Sequence, residues 1–267
     1  MSKSAIPNVL GPTVAVLNQK GGVGKTTVTL GLASAAWSRG LRTLVVDLDA
    51  QANATWTLGV DPGADNWGTG DALAANKVGA AGSMIVPSGW GESVWLLPAS
   101  GDLTDRETEV RRTDAQLRLA KALTGVTDEF DLVLIDCAPS MGLNTVNALA
   151  ASRHALIVVE PTVFGVRGVN PVVDLVEQVW EENNKDLDLA GVVLNRVPSV
   201  SVDAHQRQQE LAKLVGARAV WSPVVPQRVI MNTAHGERSP IHTYGRRAGE
   251  LPGVFDALLS KLRRTMK

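Results

Sequence analysis

The chain has 267 residues, 45% of them hydrophobic, with a mean hydropathy of +0.05 and a net charge of −1. That length can enclose a substantial core and suits a single α/β domain. No stretch of eighteen residues is apolar and uncharged, residues 1–8 lack the regions of a signal peptide, and one cysteine excludes an internal disulfide, so the expected location is cytoplasmic. The near-neutral total conceals a split. Residues 1–194 carry 14 Lys/Arg against 22 Asp/Glu, whereas residues 195–267 carry 12 against 5. Such a basic C-terminal part can attract nucleic acid or an anionic membrane, or it can simply neutralise the acidic remainder.

In chain order, residues 1–12 form a tail and 13–17 a first apolar strand. Lys20-Gly21-Gly22-Val23-Gly24-Lys25-Thr26-Thr27 follows, leading into a helical pattern centred on 28–37. Strand, glycine-rich turn and helix start make a loop whose backbone N–H groups can wrap phosphates. Lys25 can reach the β and γ phosphates and Thr26 can place its hydroxyl on Mg²⁺. Lys20 is surplus to such a loop. A second strand, 42–47, ends in Asp47-Leu48-Asp49. In a parallel sheet the carboxyl ends of the strands border the ligand crevice, which puts both acids near the phosphates. Alternate spacing points them differently, so one can orient Mg²⁺ through its waters and the other can position an attacking water.

Residues 61–91, rich in Gly, Asn and Pro, hold one short helix near 71–76. Further strands are expected at 94–97, 132–136, 155–159 and 189–194, with helices at 114–124, 143–151, 169–182 and 203–215. Strands dominated by Val and Ile without alternation are buried on both faces. The whole alternation predicts an α/β fold: three layers, with a doubly wound, mostly parallel sheet flanked by helices. Asp136 ends the 132–136 strand, where an acid holds a water on Mg²⁺ or joins the Thr26 hydroxyl network. Cys137 beside it reads as a small buried side chain. Asn195 ends the 189–194 strand, and its amide can read adenine or serve as a turn residue. Residues 220–249 read as a long loop with one short helix beginning near Gln227. A last helix, 251–264, shows Leu251, Phe255, Leu258, Leu259 and Leu262 on one face.

Residues 20–27, 47–53, 131–142, 161–168 and 191–196, with Val225-Pro226-Gln227-Arg228 and Ala234-His235-Gly236, resemble the ParA/MinD family of deviant Walker A P-loop ATPases. Small ParA/Soj-type chromosome or plasmid partition proteins are the most similar branch. The resemblance spans almost the whole chain and implies a P-loop NTPase fold that hydrolyses ATP with Mg²⁺. Lys25 is then the phosphate lysine, and Lys20 the signature lysine that reaches the partner's nucleotide in an ATP-bound homodimer. Gly21, Gly22, Val23 and Gly24 line the phosphates. Thr26 coordinates Mg²⁺, Thr27 bonds the α phosphate, Asp49 positions the hydrolytic water, Asp47 sits near the metal and Asp136 is the Walker B acid. Asn195 contacts adenine and the loop from Pro226 packs on the base. The sequence departs from the family at Ala50 and Ala52, where proline and glycine are usual, and at Cys137-Ala138, where Thr-Pro is usual. Residues 161–168 lack the family's acidic-aromatic pair, which leaves that loop's conformation open.

A single cysteine cannot supply the two that bridge the cluster of the nitrogenase iron protein, and twelve residues before the first strand leave no room for a helix-turn-helix domain. A MinD-like, membrane-associated positioner would anchor itself through an amphipathic C-terminal helix. The mixed basic and apolar residues 258–267 lack a bulky aromatic at the tip, and their leucines also suit core packing, so membrane attachment is not expected. The resemblance implies instead ATP-dependent, nonspecific binding of double-stranded DNA on the nucleoid and slow hydrolysis stimulated by a ParB-type centromere-binding protein. Candidate DNA contacts are Arg207, Lys213, Arg218, Arg246, Arg247, Lys261, Arg263 and Arg264. Trp221 and Tyr244 can stack on bases but suit packing better. A positioner of another cargo would share the chemistry. A non-hydrolysing nucleotide-binding scaffold is disfavoured by the intact loop and acids.

Overall fold

The computed structural model describes residues 11–62, 67–100, 103–110 and 114–266, so residues 1–10 of the expected tail lie outside it. The apolar runs become strands β1 (Thr13–Leu17), β2 (Thr43–Leu48), β3 (Val86–Pro87), β4 (Val94–Leu97), β5 (Leu132–Cys137), β6 (His154–Val159) and β7 (Asp188–Leu194). They form one seven-stranded sheet in the order β3-β4-β2-β5-β1-β6-β7. All neighbours pair parallel except β3 with β4. Pro87, lacking an N–H, is tolerated because β3 is a two-residue edge strand.

Helices α1 (Lys25–Ser38), α2 (Asn53–Thr57), α3 (Thr69–Ala75), α4 (Leu103–Arg106), α5 (Arg118–Leu123) and α6 (Leu143–Ala150) occupy the first part of the chain. Helices α7 (Val163–Arg167), α8 (Val169–Glu182), α9 (Val202–Val215), α10 (Ile230–Gly236) and α11 (Leu251–Thr265) occupy the second. The two-residue period of a strand splits each central one between two cores. From β1, Val14 and Val16 pack with Leu30, Phe255 and Leu258 of α1 and α11. Ala15 and Leu17 pack with Leu119, Leu149 and Val172 of α5, α6 and α8. Both faces are therefore covered, which is why the strands read as continuous apolar runs. The doubly wound, three-layer P-loop architecture is as expected.

Helix α11 closes the second core against α1 at short range. A Cβ on Gly31 would stand 2.1 Å from the Phe255 ring, so only glycine admits the helix there. Leu258, Leu259 and Leu262 are fully buried, so the apolar face of α11 is committed to this core.

Several boundaries differ from the sequence reading for local reasons. Asp114 takes φ +58° and a 3-10 turn, Ala115–Leu117, precedes α5. Asp71 accepts from Gly68 N (2.9 Å) and starts α3 at Thr69 rather than at 71. The open loop 161–168 is helix α7, capped by the Thr162 hydroxyl, which accepts from Gly165 N (3.0 Å). In 220–249 the helix starts at Ile230 rather than near Gln227, and 3-10 turns run over Ile241–Ala248.

Candidate functional site

The site lies at the carboxyl ends of β1, β2, β5 and β7, where the winding changes direction on either side of β1. β1 runs into the loop, and Gly24 enters α1 at φ +87°. A Cβ there would meet Asn195 Nδ2 at 2.1 Å, so glycine is required both by the dihedral and by the asparagine behind it. That amide donates to Val23 O (2.8 Å), tying the end of β7 to the phosphate loop. Asn18 braces the other end: Nδ2 donates to Val158 O (2.6 Å) and Oδ1 accepts from Lys20 N (2.9 Å).

Two cavities adjoin at Thr27. The first, about 350 Å³, is lined by Gly21, Gly22, Gly24, Lys25, Thr26, Thr27, Asp49, Pro139 and Arg196, with Gln51, Asn53, Trp56, Thr57, Asn232 and His235 opposite. The second, about 210 Å³, is lined by Thr27, Asn195, Arg196, Val225, Pro226, Gln227, Arg228, Val229, Met231 and Asn232. The structure thus gathers Lys25, Thr26, Asp49, Asn195 and Pro226 around one continuous cleft. The Val23 side chain is fully buried, leaving its backbone to serve the loop.

Behind the wall of the first cavity, Thr26 Oγ1 donates to Asp136 Oδ2 (2.7 Å) and Thr29 Oγ1 donates to Asp136 Oδ1 (3.0 Å). With its proton committed to Asp136, the Thr26 oxygen has its lone pairs free to meet a cation. Mg²⁺ is held by one or two protein oxygens plus phosphates and water, which fits this donor set. Lys25 is buried, and its Nζ rests near Lys20 O (3.4 Å). Burial lowers its pKa, and Asp136 offsets part of that. An ammonium so placed gains from a phosphate that replaces lost water.

Asp47 and Asp49 diverge, as their spacing requires. Asp49 lines the cavity, with Oδ1 accepting from Gln51 N (2.9 Å). Asp47 is fully buried: Oδ2 accepts from Thr55 N (2.8 Å) and Thr55 Oγ1 (2.7 Å), and Oδ1 from Asp49 N (3.1 Å). Asp47 was expected near the metal; it lies behind the cavity lining, as does Asp136. The Asp47 carboxylate is consumed in anchoring α2 beneath the loop and does not line the cleft. Asp47 and Asp136 face each other in register on β2 and β5. Burial raises the pKa of both, with their mutual repulsion adding at Asp136. Cys137 is buried as expected, its thiol pushed upward by burial and by Asp136.

Lys20 turns away from its own loop. Its Nζ is 3.5 Å from Glu160 Oε2, and Glu160 Oε1 accepts from Arg196 Nη1 (3.0 Å). Trp56, Thr57 and Asn232 were not singled out in the sequence, and Gln51, Asn53, Arg196 and His235 stood there only within matched segments, without roles of their own. Their signals were weak: Asn53 starts a five-residue helix after Ala52 at φ +54°. Arg196 holds φ +55°, which no composition announces.

On the basic surface, Lys213, Arg218, Arg246, Arg247, Arg263 and Arg264 are exposed. Arg207 is paired with Asp203 (3.2 Å) and Glu210 (2.6 Å) along α9 and largely covered. Lys261 is half-buried over the Trp221 ring, 5.2 Å from its centroid, and Trp221 itself is buried, its indole donating to Ala190 O (3.0 Å). Tyr244 packs locally, its hydroxyl donating to Glu237 (2.5 Å). No helix among the described residues is long and apolar enough to cross a membrane.

The profile of a family described as "AAA domain" matches residues 11–189. The chain is 32% identical over 240 residues to the sporulation initiation inhibitor protein Soj of Bacillus subtilis, covering 90% of this chain and 93% of that protein. It is 30% identical to the chromosome-partitioning ATPase Soj of Treponema pallidum over 88% of this chain and 90% of that one. A solved structure named cobyrinic acid a,c-diamide synthase, from Mycobacterium smegmatis with ADP and magnesium, superposes with a TM-score of 0.78 at 28% identity, covering 94% and 95% of the two chains. The Pyrococcus furiosus cell division ATPase MinD shares the fold, with a TM-score of 0.75 at 23% identity over 95% and 99%. With the two-lysine loop and the Thr26–Asp136 pair in place, the chain belongs to the Soj/ParA family of P-loop ATPases.

Proposed function

We propose that this protein is an ATP-gated dimeric switch that binds DNA nonspecifically and drives plasmid or chromosome segregation with a ParB-type partner. The observation that carries the reading is the direction of Lys20. Its ammonium lies at the rim beside Glu160, outside the cavity where Lys25 and Thr26 meet the phosphates. A cation at the rim serves a nucleotide presented by a second subunit. In this reading ATP·Mg²⁺ fills both cavities, phosphates at Lys25, Thr26 and Thr27 and the base against Asn195 and Pro226. Asp136 holds the Thr26 proton, Asp49 orients water, and Lys20 offsets charge on the partner's ATP, so closure depends on nucleotide.

The closed dimer unites the exposed cations of two subunits into one surface for DNA phosphates. The protein then resides on the nucleoid in the cytoplasm, acting as one P-loop domain. A membrane-bound reading is weakened because the leucines of α11 are buried in the core. The test is ATP turnover, with and without duplex DNA and the cognate ParB-type protein, alongside light scattering with ATP·Mg²⁺. ATP-dependent dimers and stimulated turnover support the switch. Absence of turnover under every condition sinks it.

A further inference from the structure

Glu160 is the acid between two cations at the rim of the cleft. Its side chain is 18% exposed, against 43% for Lys20 and 48% for Arg196, so it is the most enclosed member of the trio. Its backbone is fixed on both sides. Val159 O accepts from Asn195 N (2.8 Å), and Glu160 O accepts from Thr162 N (2.7 Å) at the start of α7. The backbone of Lys20 is fixed too, by Asn18 and by the Lys25 ammonium on its carbonyl. The lysine side chain itself is half-exposed and directed at Glu160.

We propose that Glu160 is a positioning residue that parks Lys20 in the open subunit and competes with the partner's nucleotide for it. The inference rests on the reading of Lys20 as acting across a dimer. On closure Lys20 leaves one carboxylate for the several charges of the partner's triphosphate. Glu160 is not stranded when this happens, because the Arg196 guanidinium remains 3.0 Å away. Entry of ATP also draws Lys25 from the Lys20 carbonyl to the phosphates, loosening the second hold. A half-exposed ion pair is weak, so the lock is shallow and sets a threshold instead of a block.

The experiment compares wild type with Glu160→Gln, which keeps shape and removes charge. ATP·Mg²⁺ is titrated at fixed protein concentration and dimer is read by light scattering, with ADP affinity measured in parallel. E160Q is expected to close at an ATP concentration about two- to five-fold lower, a gap that narrows in high salt, with ADP affinity unchanged. Because Glu160 lines neither nucleotide cavity, unchanged ADP affinity also certifies the fold. Closure at the same ATP concentration as wild type overturns the inference. So does closure at a higher one, which would make Glu160 a contact of the closed dimer. If wild type itself never dimerises with ATP, the switch reading falls and this one with it, a result distinct from either of those.

Discussion

At the phosphate pocket, Asp136 takes one hydroxyl on each oxygen and Lys25 lies buried against a backbone carbonyl; at the rim, Lys20 and Arg196 stand half-exposed around Glu160. Their lysines are a few residues apart in sequence, and their surroundings are opposite in construction. The pocket is buried and its side chains are already hydrogen-bonded in place, so each group there is hard to replace. The rim holds its charges in solvent, where each contact is weak and exchangeable. Under the proposed switch, chemistry that must not vary is built inside, and an interaction that must form and break is built at the edge.

The largest effect expected from breaking this contrast is at Lys25. Lys25→Ala removes the one cation buried among the loop's N–H groups. ATP turnover is expected to fall about 10²–10³-fold, the usual cost of deleting a preorganised electrostatic donor. Steady-state phosphate release measures it. A variant retaining a tenth of wild-type turnover would mean that the pocket's stabilisation comes mainly from the backbone.

Lys20→Gln should separate the rim from the pocket. ADP binding to the single subunit is expected to persist, while ATP-induced closure weakens about 10–100-fold for each lost charged contact. Nucleotide titrations followed by fluorescence and by light scattering read the two effects independently. Equal loss of both would place Lys20 in its own subunit's site.

The basic surface extends the same contrast to its diffuse limit. Arg263 and Arg264 are exposed at the end of α11, with no base-reading geometry to defend. The double variant Arg263→Ala/Arg264→Ala should weaken binding to unrelated duplexes uniformly. It should also reduce the slope of log affinity against log salt by about two units if each arginine meets one phosphate. An unchanged slope would move the DNA surface toward Arg218, Arg246 and Arg247.

How far the sequence discloses these features follows the same division. The central strands were legible because burial on both faces leaves an unbroken apolar run. The phosphate loop was legible because glycines and lysines at fixed spacing have few other uses. Helix α7 was not, since five residues with one threonine cap carry too little periodicity. The anchoring of Asp47 was not legible either, because the sequence shows that an acid ends β2, but not that Thr55 returns to claim it. The ion pairs of Arg207 were not legible because its partners lie one helical turn either side, at Asp203 and Glu210, and every helix surface offers such neighbours. Arg196 was given no role of its own because its place comes from facing both cavities and Glu160 at once.

The smallest effect concerns the opposite end of the sheet, where β6 begins. His154 is 4% exposed, and neither ring nitrogen has a hydrogen-bond partner among the described residues. Burial pushes its pKa below the ordinary value, with Asp188 opposing and Arg153 assisting. The fold therefore favours the neutral ring. Below about pH 6.5 the unfolded chain takes up a proton that the folded ring resists, so stability from this group falls with falling pH. His235 and His242, also lowered by burial, act in the same direction. His154→Leu removes two unpartnered polar atoms and one of the three buried imidazoles. It is expected to raise stability at pH 7 by about 1 kcal/mol and to flatten the loss between pH 7 and 5.5. Urea unfolding at the two pH values measures both effects. A variant less stable at pH 7, with the wild-type pH dependence intact, would show that the ring is solvated or bonded and that this end of the sheet is not dry.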